Sequence, residues 1–185
     1  MEDRDLQILR AALTVFAKFG VAKTTMSDIA AEAGVARQTV YNAFPGKPEL
    51  LRGAVRLAYS DVQGKIRERW QTCKTLGDKI DVYFDLGPRH WFEMVRSSPQ
   101  LAELLDGMTK HAAEELAEGK KLWQEMFVEM FEAAGQQPLD ADVTLQGVAE
   151  FLFSYSTHAK HQADSLEVLD RRLLVIKAAV LRLLG

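Results

Sequence analysis

Five of the six side chains between Arg37 and Asn42, namely Arg37, Gln38, Thr39, Tyr41 and Asn42, donate or accept hydrogen bonds, and Val40 alone among them is apolar. Arg and Gln pair bidentately with guanine and adenine edges, a threonine methyl can meet a thymine, and a tyrosine hydroxyl reaches a phosphate. On one face of a short helix, with Val40 and Phe44 turned inward, these residues have the chemistry of duplex recognition.

Catalytic chemistry has far less to build on. The chain contains no G-x-S-x-G elbow, P-loop or G-x-G-x-x-G, and no Glu is followed by a His three residues later. The single Cys73 has no triad pattern around it and no partner for an internal disulfide. His158 and His161 lie i, i+3 with Asp164 beyond, a spacing open to a metal ion, but histidines near a helix end more simply complement its dipole. The expectation is a protein that is not an enzyme, with no metal and no cofactor.

The elements that position the polar run are helical, as is almost everything else, because no stretch alternates apolar and polar residues with the β-branched richness of a strand. The first helix covers about 3–19, with Leu6, Leu9, Leu13 and Phe16 on one face and Gly20 as its stop. A short second helix fits 26–33, capped by Ser27 or Thr25, and Gly34 supplies the positive φ of the turn before a third helix at about 37–43. Pro45-Gly46 breaks the chain ahead of a long helix from Lys47 to about Trp70. Helices near 78–86 and 88–96 follow with a break expected at Gly87-Pro88. Another starts at Ser97-Ser98-Pro99 and ends at Gly107, a long one runs to about Ala134, and Asp140 caps the first of two last helices near 141–161 and 165–184. The fold class read from this pattern is all-α: a three-helix helix-turn-helix domain over 1–46, then a helical domain over 47–185 that begins with a connecting helix at 47–70.

Composition fits that plan. At 185 residues, 48% apolar and 26% charged, the chain can bury a substantial core, and disordered or collagen-like classes are excluded. No apolar run reaches the roughly 18–20 residues needed to span a bilayer, and no leader precedes the first helix, so a cytoplasmic protein with no membrane partner is expected. Net charge is −3, yet residues 1–56 carry eight Lys or Arg against six acids. The amino end is the part biased towards a polyanion.

The run from Gly20 to Leu51 closely resembles the DNA-binding signature of the TetR family of transcriptional regulators. The TT-x-x-IA, AGV, T-x-Y-x-x-F and K-x-E-L-L elements occur in order within about 50 of the 185 residues. The resemblance implies that Thr24 and Thr25 contact phosphate, that Arg37, Gln38, Thr39 and Asn42 read bases or flanking phosphates, that Tyr41 meets the backbone, and that Lys47 meets a further phosphate. Ala36 and Ala43 depart from the pattern, standing where Ser and His are common. They are also the features that would support a rival reading, a ligand-binding adaptor that has lost DNA binding.

Near the carboxyl end, Leu145, Val148, Leu152 and Tyr155, and Leu169, Leu173, Ile176 and Val180, are spaced as a bundle seam, flanked by Phe151, Leu174 and Leu181. The resemblance implies that the seam residues Leu145, Val148, Leu152, Leu169, Leu173, Ile176 and Val180 form a homodimer interface. Two recognition helices about 34 Å apart would then enter successive major grooves of a palindromic operator. Trp91, Met94, Trp123, Met126, Phe127, Met130, Phe151, Tyr155 and His158 are the expected pocket for a small apolar or aromatic effector, with His90, His111, Tyr155 and His158 as polar anchors. A repressor released by that effector, through the long fourth helix, is the function the resemblance implies.

Overall fold

The computed structural model describes residues 3–97 and 112–185, and the regular elements among them are all helical. In chain order these are α1 (Asp3–Phe19), α2 (Met26–Ala33), α3 (Arg37–Ala43), α4 (Lys47–Trp70) and α5 (Leu76–Phe84). A π-helical turn, Asp85–Arg89, leads into α6 (His90–Ser97), and α7 (Ala113–Ala133), α8 (Leu145–His161) and α9 (Leu166–Leu184) complete the chain. The expected all-α class holds. The helix expected between Ser97 and Gly107 falls largely outside the described residues.

Local sequence sets most boundaries. Thr25 and Thr75 begin α2 and α5 with the same device: each hydroxyl accepts from the amide of the Asp three residues on, whose carboxylate accepts from the cap's own amide. Two otherwise orphaned helix-end donors are satisfied at once. Gly34 ends α2 at φ 64°, the left-handed turn that a residue without Cβ makes cheaply.

Two boundaries differ from expectation. The chain does not break at Gly87-Pro88, because the π-helical turn widens the register there and accommodates the missing amide and the bulk of Pro88. And α8 starts at Leu145, not 141, because Thr144 takes the cap by accepting from the Gly147 amide, while Asp140 is spent on the amide of Asp142.

Packing divides the chain into two compact units, one from the described residues of 1–61 and 95–119, the other from 62–94 and 120–185. In the first, Ile8, Leu9, Val15 and Phe16 of α1 and Ile29 of α2 meet Val40 of α3 and Leu50, Leu51, Ala54 and Val55 of α4 in one core. The unit thus extends beyond the expected boundary at 46, since the first half of α4 closes its core. Gly53 makes that closure possible: a Cβ there would come within 2.8 Å of Leu9. In the second unit, α8 and α9 pack through Val148, Leu152, Leu169, Leu173 and Val180, all essentially without solvent contact. Tyr83 lies edge-on to Phe127 at 4.7 Å between centroids, and its hydroxyl shares a 2.6 Å hydrogen bond with Ser156. No described helix is long and apolar enough to cross a membrane.

Candidate nucleic-acid interface

The first unit holds α3 from beneath and leaves its other side to solvent. Val40 is its one fully buried side chain, seated in the core shared by α1, α2 and α4. Gln7 Nε2 donates to the Ala33 carbonyl at 2.7 Å, so α1 fixes the end of α2 immediately before the turn at Gly34. The Val35 amide, just past that turn, bonds back to Ala30. α3 therefore leaves the turn in a direction set at both ends.

Arg37, Gln38 and Asn42 are exposed, with Tyr41 and Thr39 half-buried beside them. They are organised in pairs. Arg37 Nη2 donates to the Tyr41 hydroxyl at 3.2 Å, with the guanidinium 5.2 Å from the ring centre, and Gln38 Nε2 donates to Asn42 Oδ1 at 2.9 Å. Intrahelical pairs at i, i+4 restrict rotamers before any ligand arrives. Each pair still leaves donors or acceptors facing outward, since an Arg has five N–H groups and an amide three further hydrogen-bond positions.

Ala36 caps α3 without a side-chain bond, as its missing hydroxyl requires. Thr25 is exposed, and Asp28, lowered in pKa first by the Thr25 hydroxyl and then by its amide, keeps the cap in place.

Two expected phosphate contacts are arranged otherwise. Thr24 is 2% exposed and its hydroxyl donates to the Gly20 carbonyl, so its side chain closes the α1–α2 loop and is not presented to an anion. Lys47 sends its ammonium to the carbonyls of Val21, Ala22 and Thr24, which engages all three of its N–H donors. Both residues are braces for the loop before α2. No local pattern signals this, because the partners lie in another segment; nor does one mark Gln7, or Lys23, an exposed cation beside the Thr25 cap.

Residues 8–54 match the family model of bacterial regulatory proteins, tetR family. The amino-terminal unit carries the DNA-binding domain of the TetR family. Solved structures share the whole fold. A TetR-family transcriptional regulator of Pectobacterium atrosepticum superposes with a TM-score of 0.67 at 19% identity, over 97% of this chain and 93% of that one. SmeT, the repressor of the Stenotrophomonas maltophilia multidrug efflux pump SmeDEF, gives 0.61 at 23% identity, over 97% and 91%. FadR of Bacillus subtilis, in complex with stearoyl-CoA, gives 0.61 at 16% identity, over 94% and 97%. No curated protein sequence matches this chain.

Outside its TetR-type domain, the sites expected in the carboxyl-terminal region are corrected. Val148, Leu152, Leu169, Leu173 and Val180 are at most 1% exposed within the single chain, and Ile176 is 7% exposed. A side chain already covered has no area left for a partner, so these are the subunit's own core, with Leu145 half-buried at their edge. What the last helices show to solvent is Tyr155, Leu174 and Val175, each more than half exposed. A groove between α8 and α9 is lined by Tyr155, His158, Gln162, Val168, Arg171 and Val175.

The nine expected pocket residues do not line one cavity. Trp123, Met126, Phe127 and Met130 are buried, with Trp123 and Phe127 packed ring against ring with Tyr83. Phe151 packs against the tilted ring of exposed Tyr155 at 4.5 Å between centroids, and His158 is exposed in the groove. Trp91 belongs to a third group, with Lys160 and His161; Met94 is half-buried, His90 exposed, and His111 lies outside the described residues. Among the described residues no three His, Cys, Asp or Glu side chains gather as a metal site.

Proposed function

We propose that the protein is a homodimeric repressor that sits on a palindromic operator and is released by a small apolar or aromatic effector. The observation that carries the DNA-binding part is the exposed, pre-paired face of α3, with Arg37, Gln38, Tyr41 and Asn42 mounted on a helix whose only fully buried side chain is Val40. These side chains read bases and flanking phosphates, while the remaining amides at the start of α2 favour a phosphate through the helix dipole, both donors of Thr25 being spent on Asp28.

The dimer is proposed through the solvent side of α8 and α9, where Tyr155, Leu174 and Val175 expose large apolar surface. Twofold pairing there sets the separation of two recognition helices, which is the quantity an effector would alter. The effector reading draws on the body's soft interior of Trp123, Met126, Phe127 and Met130, side chains that repack readily around apolar molecules. It also draws on a fold shared with a repressor and with a stearoyl-CoA complex. A regulator of this kind works in the cytoplasm.

The test is a fluorescence-anisotropy titration of the protein with the intergenic duplex beside its own gene and with a random duplex of equal length. Preference for the former, with affinity falling steeply as salt rises, is expected. Equal affinity for both duplexes removes the repressor reading in favour of an adaptor.

A further inference from the structure

Lys160 stands in the last turn of α8 with its Nζ 4.4 Å from the centre of the Trp91 ring. His161, the next residue, lies edge-on to the same ring at 4.6 Å between centroids. All three residues belong to the second packing unit.

The charges around Lys160 do not balance. Among the described residues no carboxylate pairs with it. Asp85 and Asp170, on the neighbouring π-helical turn and α9, are both held by Arg89, and Asp81 is held by Lys177. Asp164, beyond the helix end, is exposed, and no ion pair joins it to another of the described residues. Beside the ammonium on its own helix stand His158 and His161, neither of which supplies a negative charge. Burial lowers the Lys160 pKa to about 8, and His161 is lowered by burial, then by the charges of Lys160 and His158. A helix C-terminus and an aromatic face both favour a cation, yet they do not replace the hydration of an ammonium withdrawn from water. Buried charges in folded proteins are paired, and this half-buried ammonium has no counter-ion among the described residues.

We infer that Lys160, with Trp91 as floor and His161 at its edge, is a binding site for the acid group of a small organic acid whose apolar body lies along the indole. The ligand's carboxylate is the missing counter-ion, and Trp91 supplies the contact that prefers an apolar acid to a bare inorganic anion. The site lies apart from the Trp123–Met130 interior and gives the helical body a second ligand-binding group, one for an acid; it rests on the reading of that body as effector-binding.

The experiment uses the full-length protein with decanoate, 1-decanol and sodium phosphate as probes, followed by tryptophan fluorescence and thermal shift. Decanoate is expected to bind at least tenfold more tightly than 1-decanol, and phosphate not to bind in the millimolar range. Because carboxylate binding favours the protonated amine, affinity for decanoate should be flat between about pH 6 and 7, where the acid is ionised, and fall about tenfold for each pH unit above 8. Lys160→Met is expected to abolish decanoate binding while leaving the melting temperature equal to or above that of the parent, since it removes an uncompensated charge. Lys160→Arg, which keeps the charge at every pH, should bind decanoate and lose the fall above pH 8; it decides the case should the Met variant not fold. Absence of decanoate binding, equal response to 1-decanol or to phosphate, or full decanoate affinity in Lys160→Met overturns the site. The DNA titration is separate: decanoate that binds without releasing DNA retains the site and removes the effector-release reading, and specific DNA binding without decanoate binding does the reverse.

Discussion

The Lys47 ammonium donates to the carbonyl oxygen of Val21 at 2.7 Å across 26 residues of sequence, and the same nitrogen reaches Thr24 O at 3.1 Å and Ala22 O at 3.3 Å. One cation at the start of α4 thereby holds the loop that delivers α2. A charge used in this way acts on DNA through the position of the loop.

Lys47→Met should therefore weaken operator binding and lower the melting temperature without changing the number of counterions released. The check is the slope of log K against log salt. Each phosphate neutralised contributes about 0.9 to that slope, so an unchanged slope identifies a brace, and a slope shallower by about 0.9 identifies a direct phosphate contact.

The recognition face gives a different pattern. Gln38→Ala should relax discrimination at the base pair it is proposed to read by about 1–3 kcal/mol, leaving binding to non-cognate duplex unchanged. Tyr41→Phe removes the hydroxyl that accepts from Arg37 and is proposed to meet phosphate, so it should weaken cognate and non-cognate binding by similar factors. Competition titrations with singly substituted duplexes separate the two behaviours, and identical profiles for both variants would remove the division of roles.

Acid stability follows from the two capping boxes. Asp28 and Asp78 both have pKa values below the ordinary 3.8, first because the Thr25 or Thr75 hydroxyl bonds to the charged carboxylate and then because the cap's amide does. A carboxyl depressed in the folded state contributes stability that is complete above its unfolded pKa and is lost as pH falls through the folded value. Thr25→Ala or Thr75→Ala should each lower the melting temperature by roughly 2–4 °C near neutrality. That deficit should shrink below about pH 4, as the parent loses the same bonds. Melts followed by circular dichroism from about pH 2 to 7 provide the comparison, and a deficit that does not vary with pH would sever the link to Asp28 and Asp78.

What was legible in the sequence was whatever is decided locally. α1 to α4 lie where spacing, caps and breakers put them, because Thr25, Gly34 and Pro45-Gly46 act on the residues beside them. Pro88 misled, since the pattern records the lost amide but not the π-helical turn that absorbs it. Asp140 misled in the same way: it reads as the cap of α8, but Thr144 holds that place by accepting from the Gly147 amide, while Asp140 accepts from Asp142. Long-range side-chain use was invisible. Arg37 and Asn42 face outward as helical phase requires, whereas the inward turn of Thr24 and the engagement of Lys47 depend on carbonyls of a loop with no sequence signature.

The same limit governs the last two helices and leads to the final prediction. Phase marks Leu169, Leu173 and Val180 of α9 as a stripe, and Leu174 as widening it, but phase alone does not say which edge the subunit covers itself. The fold answers: Leu169 and Leu173 are 0% exposed, while Leu174 is 67% and Val175 68% exposed. Substitution on the two edges should have opposite signatures. Leu169→Ala empties a packed position and should cost about 2–5 kcal/mol of stability, with the remaining folded protein still dimeric. Leu174→Glu with Val175→Glu places charge on a surface that is already solvated in the single subunit, so each subunit should fold normally. Paired across a twofold axis, those carboxylates would be desolvated against one another, and dimerisation should fail. Light scattering after size exclusion at micromolar concentration, alongside a thermal melt, distinguishes the outcomes. A dimer that survives the double Glu variant would place the interface on another face of the protein, and the spacing of the recognition helices would then have to be set from there.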